Sequence, residues 1–376
     1  MLTIIIENPI LCLHHENIEK FIRIIIDSVW SSCDCLDSTQ VNDKLSSLSF
    51  GQGTISDDGL EQLCRVLKTV ELLGVGPRIA NLCVFNNRVS SAGIEFCADL
   101  VRVSTRLRAL QLSSCRISCR YVIPLVSALS TSTSLRDLDL CENRIGTDGA
   151  GAIGASLREN STLTKLLLCR NPIGADGAKA LAEGLQFNKG LEWLDLDECD
   201  VAPSGAISLG EALRLNSSLA FLGLDGNRIG NDGAQSLGAA LCVNDGLFSL
   251  TVQKNEIGER GSVALGDAMC VNRHLVLVDL SHNRISDAGA SSFGRALRVN
   301  STLQSLRLFH NAIGDCGALE LGDALLANSK LRALSLGHNK LGSIGTECIR
   351  KAQRGHPSLK HIQLLEIQSS SNRRVE

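Results

Sequence analysis

Gly149, Gly151 and Gly154 form the pattern GxGxxG, with which dinucleotide-binding proteins hold a pyrophosphate. That chemistry requires the glycines to lie in the tight turn between a strand and the helix that follows it. In this sequence the spacing of the surrounding apolar residues places them inside a helix, beyond the turn. We therefore predict no nucleotide site here, and the sequence also contains no GxxxxGK[ST] phosphate-binding loop.

Cysteine and histidine, the residues that most often bind transition metals, occur in two suggestive groups. Cys33 and Cys35 follow His14 and His15 at a spacing that matches no zinc-binding pattern. The second group is a set of histidines that recur at one constant interval: His282, His310 and His338. Residues at one position of neighbouring strands lie about 4.8 Å apart, so these side chains would line one rim, where a metal site would need them to converge. We interpret them as exposed polar residues, and we predict no metal, no cofactor and no catalytic residues.

The same interval of about 28 residues runs through most of the chain, and a period of that length indicates an array of repeats. Residues 135–160 read LRDLDLCENRIGTDGAGAIGASLREN, and residues 164–188, 221–244 and 305–328 repeat the same order of apolar, Asn and Gly positions. Each of these segments, with the Leu that precedes it, fits the LxxLxLxxN pattern of a leucine-rich repeat. The Asn of the pattern occurs at Asn87, Asn143, Asn171, Asn227, Asn255, Asn283, Asn311 and Asn339. Cys115 and Cys199 take its place in two further units, and an earlier unit is centred on Gly53.

Each unit changes its apolar period once. Leu138 and Leu140 alternate with polar residues, which predicts a short strand with one buried face. Ala150, Ile153 and Leu157 follow at helical spacing. We expect the Asn of the pattern to form a buried ladder that hydrogen-bonds the turn backbone. A second column is expected to end the helices in the left-handed conformation: Asn160, Asn188, Asn216, Asn244, Asn272, Asn300 and Asn328.

Units of about 28 residues with NxIGxxGAxxLxxAL helices resemble the ribonuclease-inhibitor-type leucine-rich repeats over roughly residues 45–365. Similar repeats form the sensor parts of NACHT-type receptors, and more irregular ones form the Ran GTPase-activating proteins. The expected fold is α/β, a leucine-rich-repeat solenoid of about eleven strand–helix units. Strands stack about 4.8 Å apart but helices only about 8–10 Å apart, so the array should curve into a horseshoe with a concave parallel sheet and convex helices.

Four segments are predicted. Residues 1–44 form an N-terminal cap with an amphipathic helix, whose apolar face contains Ile18, Phe21, Ile22, Ile25, Ile26 and Val29. A docking helix for a partner is the alternative interpretation of this segment. Residues 45–358 form the repeat array, and residues 359–368 form a C-terminal capping half-repeat. Residues 369–376 are predicted to be a disordered tail.

The composition favours an interaction protein in a reducing compartment. The formal net charge of −3 gives no general attraction to nucleic acid or anionic membranes. Fifteen cysteines, an odd number spread mostly over repeat positions, indicate buried free thiols rather than a disulfide framework. Leu2–Ile6 lacks the basic residues that precede a signal sequence, and no apolar run reaches the ~18–20 residues of a membrane span. We expect a cytoplasmic location.

The strand residues that point into the concavity have no packing role, so their types are informative. Near the middle of the array they form an acidic patch around two aromatic residues. The predicted partner-binding residues are Asp137, Asp139, Glu142, Glu192, Trp193, Asp195, Asp197, Glu198, Phe221 and Asp225. Aromatic anchors ringed by charge are typical of interface hot spots. We therefore predict a site for a protein partner with a basic and partly apolar surface.

The sequence thus predicts a non-enzymatic protein–protein interaction scaffold that binds a protein on its concave face. Neither a nucleic acid nor a small-molecule substrate is expected. One alternative is a GTPase-activating protein for a small Ran-like GTPase, against which the regular spacing and the lack of a long acidic tail count. The other is the ligand-sensing repeat part of a NACHT-type receptor, although residues 1–44 are too few to form its ATPase.

Overall fold

The structure is a computed structural model that describes residues 2–6, 45–51, 53–73, 79–359 and 361–363. Its internal contacts divide the chain into two compact units, unit 1 (Met1–Val201) and unit 2 (Ala202–Glu376). The two units follow the same architectural rule and are described in turn.

Unit 1 contains seven strands and five helices within its described residues. Its strands are β1 (Leu2–Ile6), β2 (Leu45–Gly51), β3 (Asn81–Phe85), β4 (Ala109–Gln111), β5 (Asp137–Asp139), β6 (Lys165–Leu167) and β7 (Trp193–Asp195). Its helices are α1 (Asp57–Leu73), α2 (Ser91–Val103), α3 (Cys119–Leu129), α4 (Thr147–Glu159) and α5 (Gly174–Leu185). Within unit 1, consecutive strands from β1 to β7 pair in parallel.

Unit 2 continues the same alternation. Its helices are α6 (Ala202–Leu213), α7 (Gly230–Leu241), α8 (Glu259–Val271), α9 (Asp287–Val299), α10 (Asp315–Ala327) and α11 (Ser343–Gly355). Its strands are β8 (Phe221–Gly223), β9 (Ser249–Thr251), β10 (Leu277–Asp279), β11 (Ser305–Arg307), β12 (Ala333–Ser335) and β13 (His361–Gln363). These strands also pair in parallel in chain order.

The core of each unit lies between its sheet and its helices, as the change of apolar period predicts. In the repeat of β5 and α4, Leu138 and Leu140 on the strand side and Ile153 and Leu157 on the helix side are all buried. Within each unit, neighbouring helices pack side by side. No repeat buries its leucines alone, so each contributes stability through its neighbours. The predicted α/β leucine-rich-repeat solenoid is confirmed.

The predicted ladder of buried Asn side chains is also confirmed. The Oδ1 atom of Asn143 accepts hydrogen bonds from the backbone N–H groups of Cys115 (3.0 Å) and Ile117 (2.9 Å). Its Nδ2 atom donates to the carbonyl oxygens of Leu112 (2.8 Å) and Leu140 (2.9 Å). One side chain thus satisfies backbone groups in two successive turns, which would otherwise be buried without partners.

The second Asn column differs from its prediction. Asn160 follows α4 in an extended conformation (φ −80°, ψ 125°), and none of the seven residues has a positive φ. Its Oδ1 atom accepts from the N–H groups of Thr162 (3.0 Å) and Leu163 (2.8 Å), and its Nδ2 atom donates to the carbonyl of Leu129 (2.6 Å). The left-handed assignment was wrong because an extended backbone aims the carboxamide at both the next turn and the preceding helix end.

The glycines of the GxGxxG pattern lie within α4, as predicted. Gly154 is needed because a Cβ atom there would overlap the Ala180 carbonyl group of α5. At Gly151 the nearest atom to such a Cβ is 3.9 Å away, so that glycine has no comparable steric role. Gly154 therefore allows the close packing of α4 against α5.

Several predictions fall partly or wholly outside the described residues. Of residues 1–44 the structure describes only β1, a strand that sequence reasoning did not predict, so the amphipathic helix of the cap lies outside them. The same applies to Cys33, Cys35 and the tail 369–376. From the half-repeat 359–368 it describes Leu359 and β13, which pairs with β12.

Candidate functional site

The predicted site residues of unit 1 lie on strands β5 and β7 and in the turns that follow them, except Glu192, which directly precedes β7. The sheet face opposite the helices is called the open face here. Within the sheet, Asp137 pairs with Lys165 and Lys165 with Trp193, which gives one row of side chains on this face. Asp139 and Asp195 belong to the next row along the strands. The alternation of a strand puts both rows on the face away from the buried leucines.

Trp193 is the most prominent apolar residue of this surface. Its side chain is 38% exposed, although the neighbouring Leu194 is fully buried. The Nζ atom of Lys165 lies 5.1 Å from the centroid of the indole ring, within the range of a cation–π contact. Asp137 and Glu192 are exposed. The predicted acidic surroundings of Trp193 therefore also include the cation Lys165, whose contact with the ring was not predicted from the sequence.

The residue before each ladder Asn or Cys has a left-handed backbone. Its φ lies between 51° and 57° at Asn86, Ser114, Glu142, Arg170, Glu198, Lys254, His282, His310 and His338, and the same position in another repeat is Gly226 (φ 69°). A left-handed turn at this point directs successive side chains outward in one line. The turns thus add a second, solvent-exposed column beside the open face.

Glu142 and Glu198 of this column are joined by Arg170. The guanidinium of Arg170 lies 2.8 Å from a carboxylate oxygen of Glu142 and 3.2 Å from one of Glu198. The hydroxyl of Ser114 also donates to Glu142 (2.7 Å). The Ser114 hydrogen bond and then the Arg170 contact hold the pKa of Glu142 below its usual value. Both acids keep about half of their side-chain surface exposed, so a partner can still reach them.

The predicted acids nearest the strand ends bond the turn backbone. The Oδ1 atom of Asp139 accepts from the N–H of Cys141 (2.9 Å), and that of Asp195 accepts from the N–H of Asp197 (2.9 Å). Burial raises the pKa of Asp195, and the charge of Asp139 adds to that rise. These two carboxylates therefore shape the turns as well as charging the surface.

Cys141 and Cys169 occupy equivalent positions just beyond β5 and β6. Cys141 is buried and Cys169 is partly exposed. A hydrogen bond with Cys169 raises the pKa of the Cys141 thiol, and burial and the charge of Asp139 raise it further. Sequence reasoning gave Cys141 and Cys169 no role, although their identical position in neighbouring repeats was an available signal.

The remaining two predicted residues belong to unit 2. Phe221 begins β8 and is partly buried. The carboxylate of Asp225 accepts from the backbone N–H of Gln253 (2.7 Å) and from its side-chain Nε2 (2.8 Å). Asp225 is thus bound to the neighbouring turn within its own unit.

The three regularly spaced histidines of unit 2 stack on one another. The ring centroids of His282 and His310 are 4.6 Å apart, and those of His310 and His338 are 6.1 Å apart. The Phe309 ring contacts His282 and His338 edge-on. Burial lowers the pKa of His282, and the charges of His310 and Lys254 lower it further. The predicted alignment of the three histidines along one line is confirmed, and their rings stack on one another.

The fold and the repeated turns correspond to a known sequence family. The family model described as "Leucine Rich repeat" matches residues 131–154, 159–182, 215–238, 271–294, 299–322 and 327–349. These matches and the alternating strands and helices show that the chain is a leucine-rich repeat protein. The ribonuclease-inhibitor type remains a resemblance in the sequence of the repeats.

Among solved structures, the chain is similar to one described as "Leiomodin-1 Actin-Binding Site 2 (ABS2)". The two are 16% identical, the alignment covers 40% of this chain and 87% of that chain, and the TM-score is 0.34. No curated protein has a matching sequence. Among the helices of the described ranges, none has both the length and the hydropathy needed to cross a membrane.

Proposed function

We propose that this protein is a non-enzymatic interaction scaffold that binds a protein partner on the open face of β5–β7, the face expected from the sequence to be concave. The observation that carries the proposal is Trp193, an indole 38% exposed in the middle of a polar sheet surface. A large ring in that position leaves apolar area in contact with water, and covering it would be favourable. Tryptophan is also among the residues most enriched in interface hot spots.

The charges around Trp193 indicate which surface charge the partner should have. Seven of the predicted acidic residues belong to unit 1. Two cations lie among them: Lys165 contacts the Trp193 ring, and Arg170 contacts Glu142 and Glu198. The excess of carboxylates favours a partner whose surface is basic around an apolar patch. Such complementarity accelerates association and disfavours acidic competitors. Lys165 must leave the indole ring, or share it, when the partner binds.

Under this proposal the protein has no catalytic activity of its own and is located in the cytoplasm. Leucine-rich repeats use a regular scaffold to present a binding surface, and the function resides in the residues grafted on it. The twelve cysteines of the described residues are free thiols, which fits a reducing compartment.

Affinity capture from native cell extract, with the full chain as bait, tests the proposal. The test variant is Trp193→Ala with Asp137→Lys, which removes the ring and reverses one exposed charge of the same row. The control variant is Phe187→Ala with Glu183→Lys, because Phe187 (56% exposed) and Glu183 offer an equivalent aromatic–acid pair on the helix side of unit 1.

We expect a protein that is captured by the wild type and the control but lost from the test variant. Thermal unfolding of all three chains shows whether they are equally folded. If both variants retain the same captured proteins as the wild type, the proposed site is wrong. If the selectively lost protein is a small GTPase, a hydrolysis assay with this chain then decides between docking and GTPase activation.

A further inference from the structure

Cys141, Cys169 and Asp195 come together on the open face of unit 1. Their two sulfur atoms and a carboxylate oxygen all lie within 4.8 Å of one another. The three residues come from three successive repeats, since Cys141 follows β5, Cys169 follows β6 and Asp195 ends β7. Neighbouring strands of a parallel sheet lie about 4.8 Å apart, so the register of the array itself creates the cluster.

The donor atoms fit zinc. Zn²⁺ binds cysteine sulfur and carboxylate oxygen in tetrahedral geometry, whereas Mg²⁺ and Ca²⁺ require oxygen ligands. With Zn–S distances of about 2.3 Å and Zn–O distances of about 2.0–2.2 Å, tetrahedral ligand atoms lie about 3.5–3.8 Å apart. Donor atoms that lie within 4.8 Å of one another must therefore approach by at most about 1.0–1.3 Å. Side-chain rotation can supply that movement, because Cys169 and Asp195 are only partly buried.

Hydrogen bonds around the cluster hold two of its three residues in place. The Oδ1 atom of Asp139 accepts from the N–H of Cys141 (2.9 Å), which fixes the backbone of one ligand. The N–H of Asp197 similarly orients the carboxylate of Asp195 (2.9 Å). The carboxylate of Asp139 hydrogen-bonds the backbone of Cys141, so it places a negative charge close to the cluster that would favour a cation there. Hydrogen bonds behind metal ligands are a usual part of zinc sites.

We propose that Cys141, Cys169 and Asp195 bind one Zn²⁺ ion, with water in the fourth coordination position. The ion would link three consecutive repeats across β5, β6 and β7. The site shares Asp195 with the predicted partner-binding residues, but Trp193 and Asp137 supply no ligand to it, so substitutions at those two positions test the two proposals separately.

Metal titration of the full-length, reduced, metal-free chain tests the proposal, with Zn²⁺ for stoichiometry and Co²⁺ as a spectroscopic probe. The test variant is Cys141→Ser with Cys169→Ser. The control is Cys242→Ser with Cys316→Ser, which removes two exposed cysteines of unit 2. We expect the wild type and the control to bind one more equivalent of Zn²⁺ than the test variant. The wild type should also show the thiolate charge-transfer absorption of tetrahedral Co²⁺, and the test variant should lose it.

Asp195→Asn provides an independent variant that leaves both thiols in place. It should bind this Zn²⁺ at least about tenfold more weakly, whereas Trp193→Ala with Asp137→Lys should bind it as tightly as the wild type. Equal Zn²⁺ stoichiometry in the test variant and the wild type would overturn the proposal. If an added thiol oxidant such as diamide forms a Cys141–Cys169 disulfide equally fast with and without Zn²⁺, the proposal would be overturned as well.

Discussion

Replacing Asn143 by Ala tests how much the buried ladder contributes to stability. The carboxamide accepts from two buried backbone N–H groups, those of Cys115 and Ile117, and donates to the carbonyl groups of Leu112 and Leu140. Its Nδ2 atom also donates to the carbonyl oxygen of Cys141 (3.1 Å), and alanine removes all five contacts at once. A buried donor without a partner costs about 1–3 kcal/mol, so the two N–H groups alone predict a loss of about 2–6 kcal/mol.

The chain supplies its own matched control, Asn143→Cys, since cysteine already holds this position in two repeats. The thiols of Cys115 and Cys199 donate to the carbonyl oxygens of Val84 (2.8 Å) and Leu168 (3.1 Å), each 31 residues earlier. Asn143 makes the equivalent bond to Leu112. We therefore expect Asn143→Cys to cost less than Asn143→Ala, because it keeps one donor.

Native-state hydrogen exchange read by mass spectrometry is the suitable assay, because a repeat array need not unfold in one step. In peptides that cover residues 112–145, protection from exchange should be highest in the wild type, lower in Asn143→Cys and lowest in Asn143→Ala. Peptides that cover residues 249–285 of unit 2 provide the internal reference. If Asn143→Ala costs less than about 0.5 kcal/mol in residues 112–145, or if the two variants are equal, the Asn143 side chain does not hold these turns together.

Three further predictions concern backbone geometry and charge. Gly154→Ala should lower the free energy of unfolding by about 1–3 kcal/mol, because its Cβ atom meets the backbone of α5. Gly151→Ala should raise the free energy of unfolding by about 0.5–1 kcal/mol, because alanine favours the helix and no atom lies close to its Cβ. Urea unfolding of both variants measures these effects, and equal effects would contradict the prediction. Lys254 has a φ of 51°, a left-handed conformation that disfavours β-branched residues and suits glycine. Lys254→Val should therefore lower the free energy of unfolding by at least about 1 kcal/mol, and Lys254→Gly should raise it by up to about 1 kcal/mol. Thermal unfolding measures both effects, and equal melting temperatures for the two variants would contradict the prediction. Burial lowers the pKa of His282 in the folded protein, so the unfolded state takes up a proton first, and stability should fall as the pH drops below about 6.5. His282→Gln should weaken that pH dependence in urea midpoints, and an unchanged dependence would show that His282 is not its source.

The repeat period made most of the fold predictable. A constant spacing identifies equivalent positions in every unit, so the buried leucines, the Asn ladder and the helical glycines at 149–154 all followed from sequence. The conformation of Asn160 did not follow, because an Asn after a helix fits both a left-handed and an extended backbone. Only the positions of its hydrogen-bond partners distinguish them. Strand β1 was also missed, since it lies outside the repeat spacing.

The composition of the candidate site was only partly predictable. Trp193 and the acidic residues were recognisable because their positions have no packing role. The contacts of Lys165 with Trp193, and of Arg170 with Glu142 and Glu198, depend on side-chain directions that columns of residue types do not contain. The cysteine pair was overlooked because Cys replaces Asn elsewhere in the repeat as part of the scaffold.

Site-specific photo-crosslinking in native cell extract tests the central claim, that a protein binds the open face of β5–β7. A photoreactive phenylalanine analogue would replace Trp193 in one sample and Phe187, on the helix side of the same unit, in the other. We expect a discrete crosslinked protein from position 193 that is absent from position 187 and that is lost when Asp137→Lys is added. Crosslinks that form only at position 187, or equally at both positions, would contradict the assignment of the open face as the binding surface.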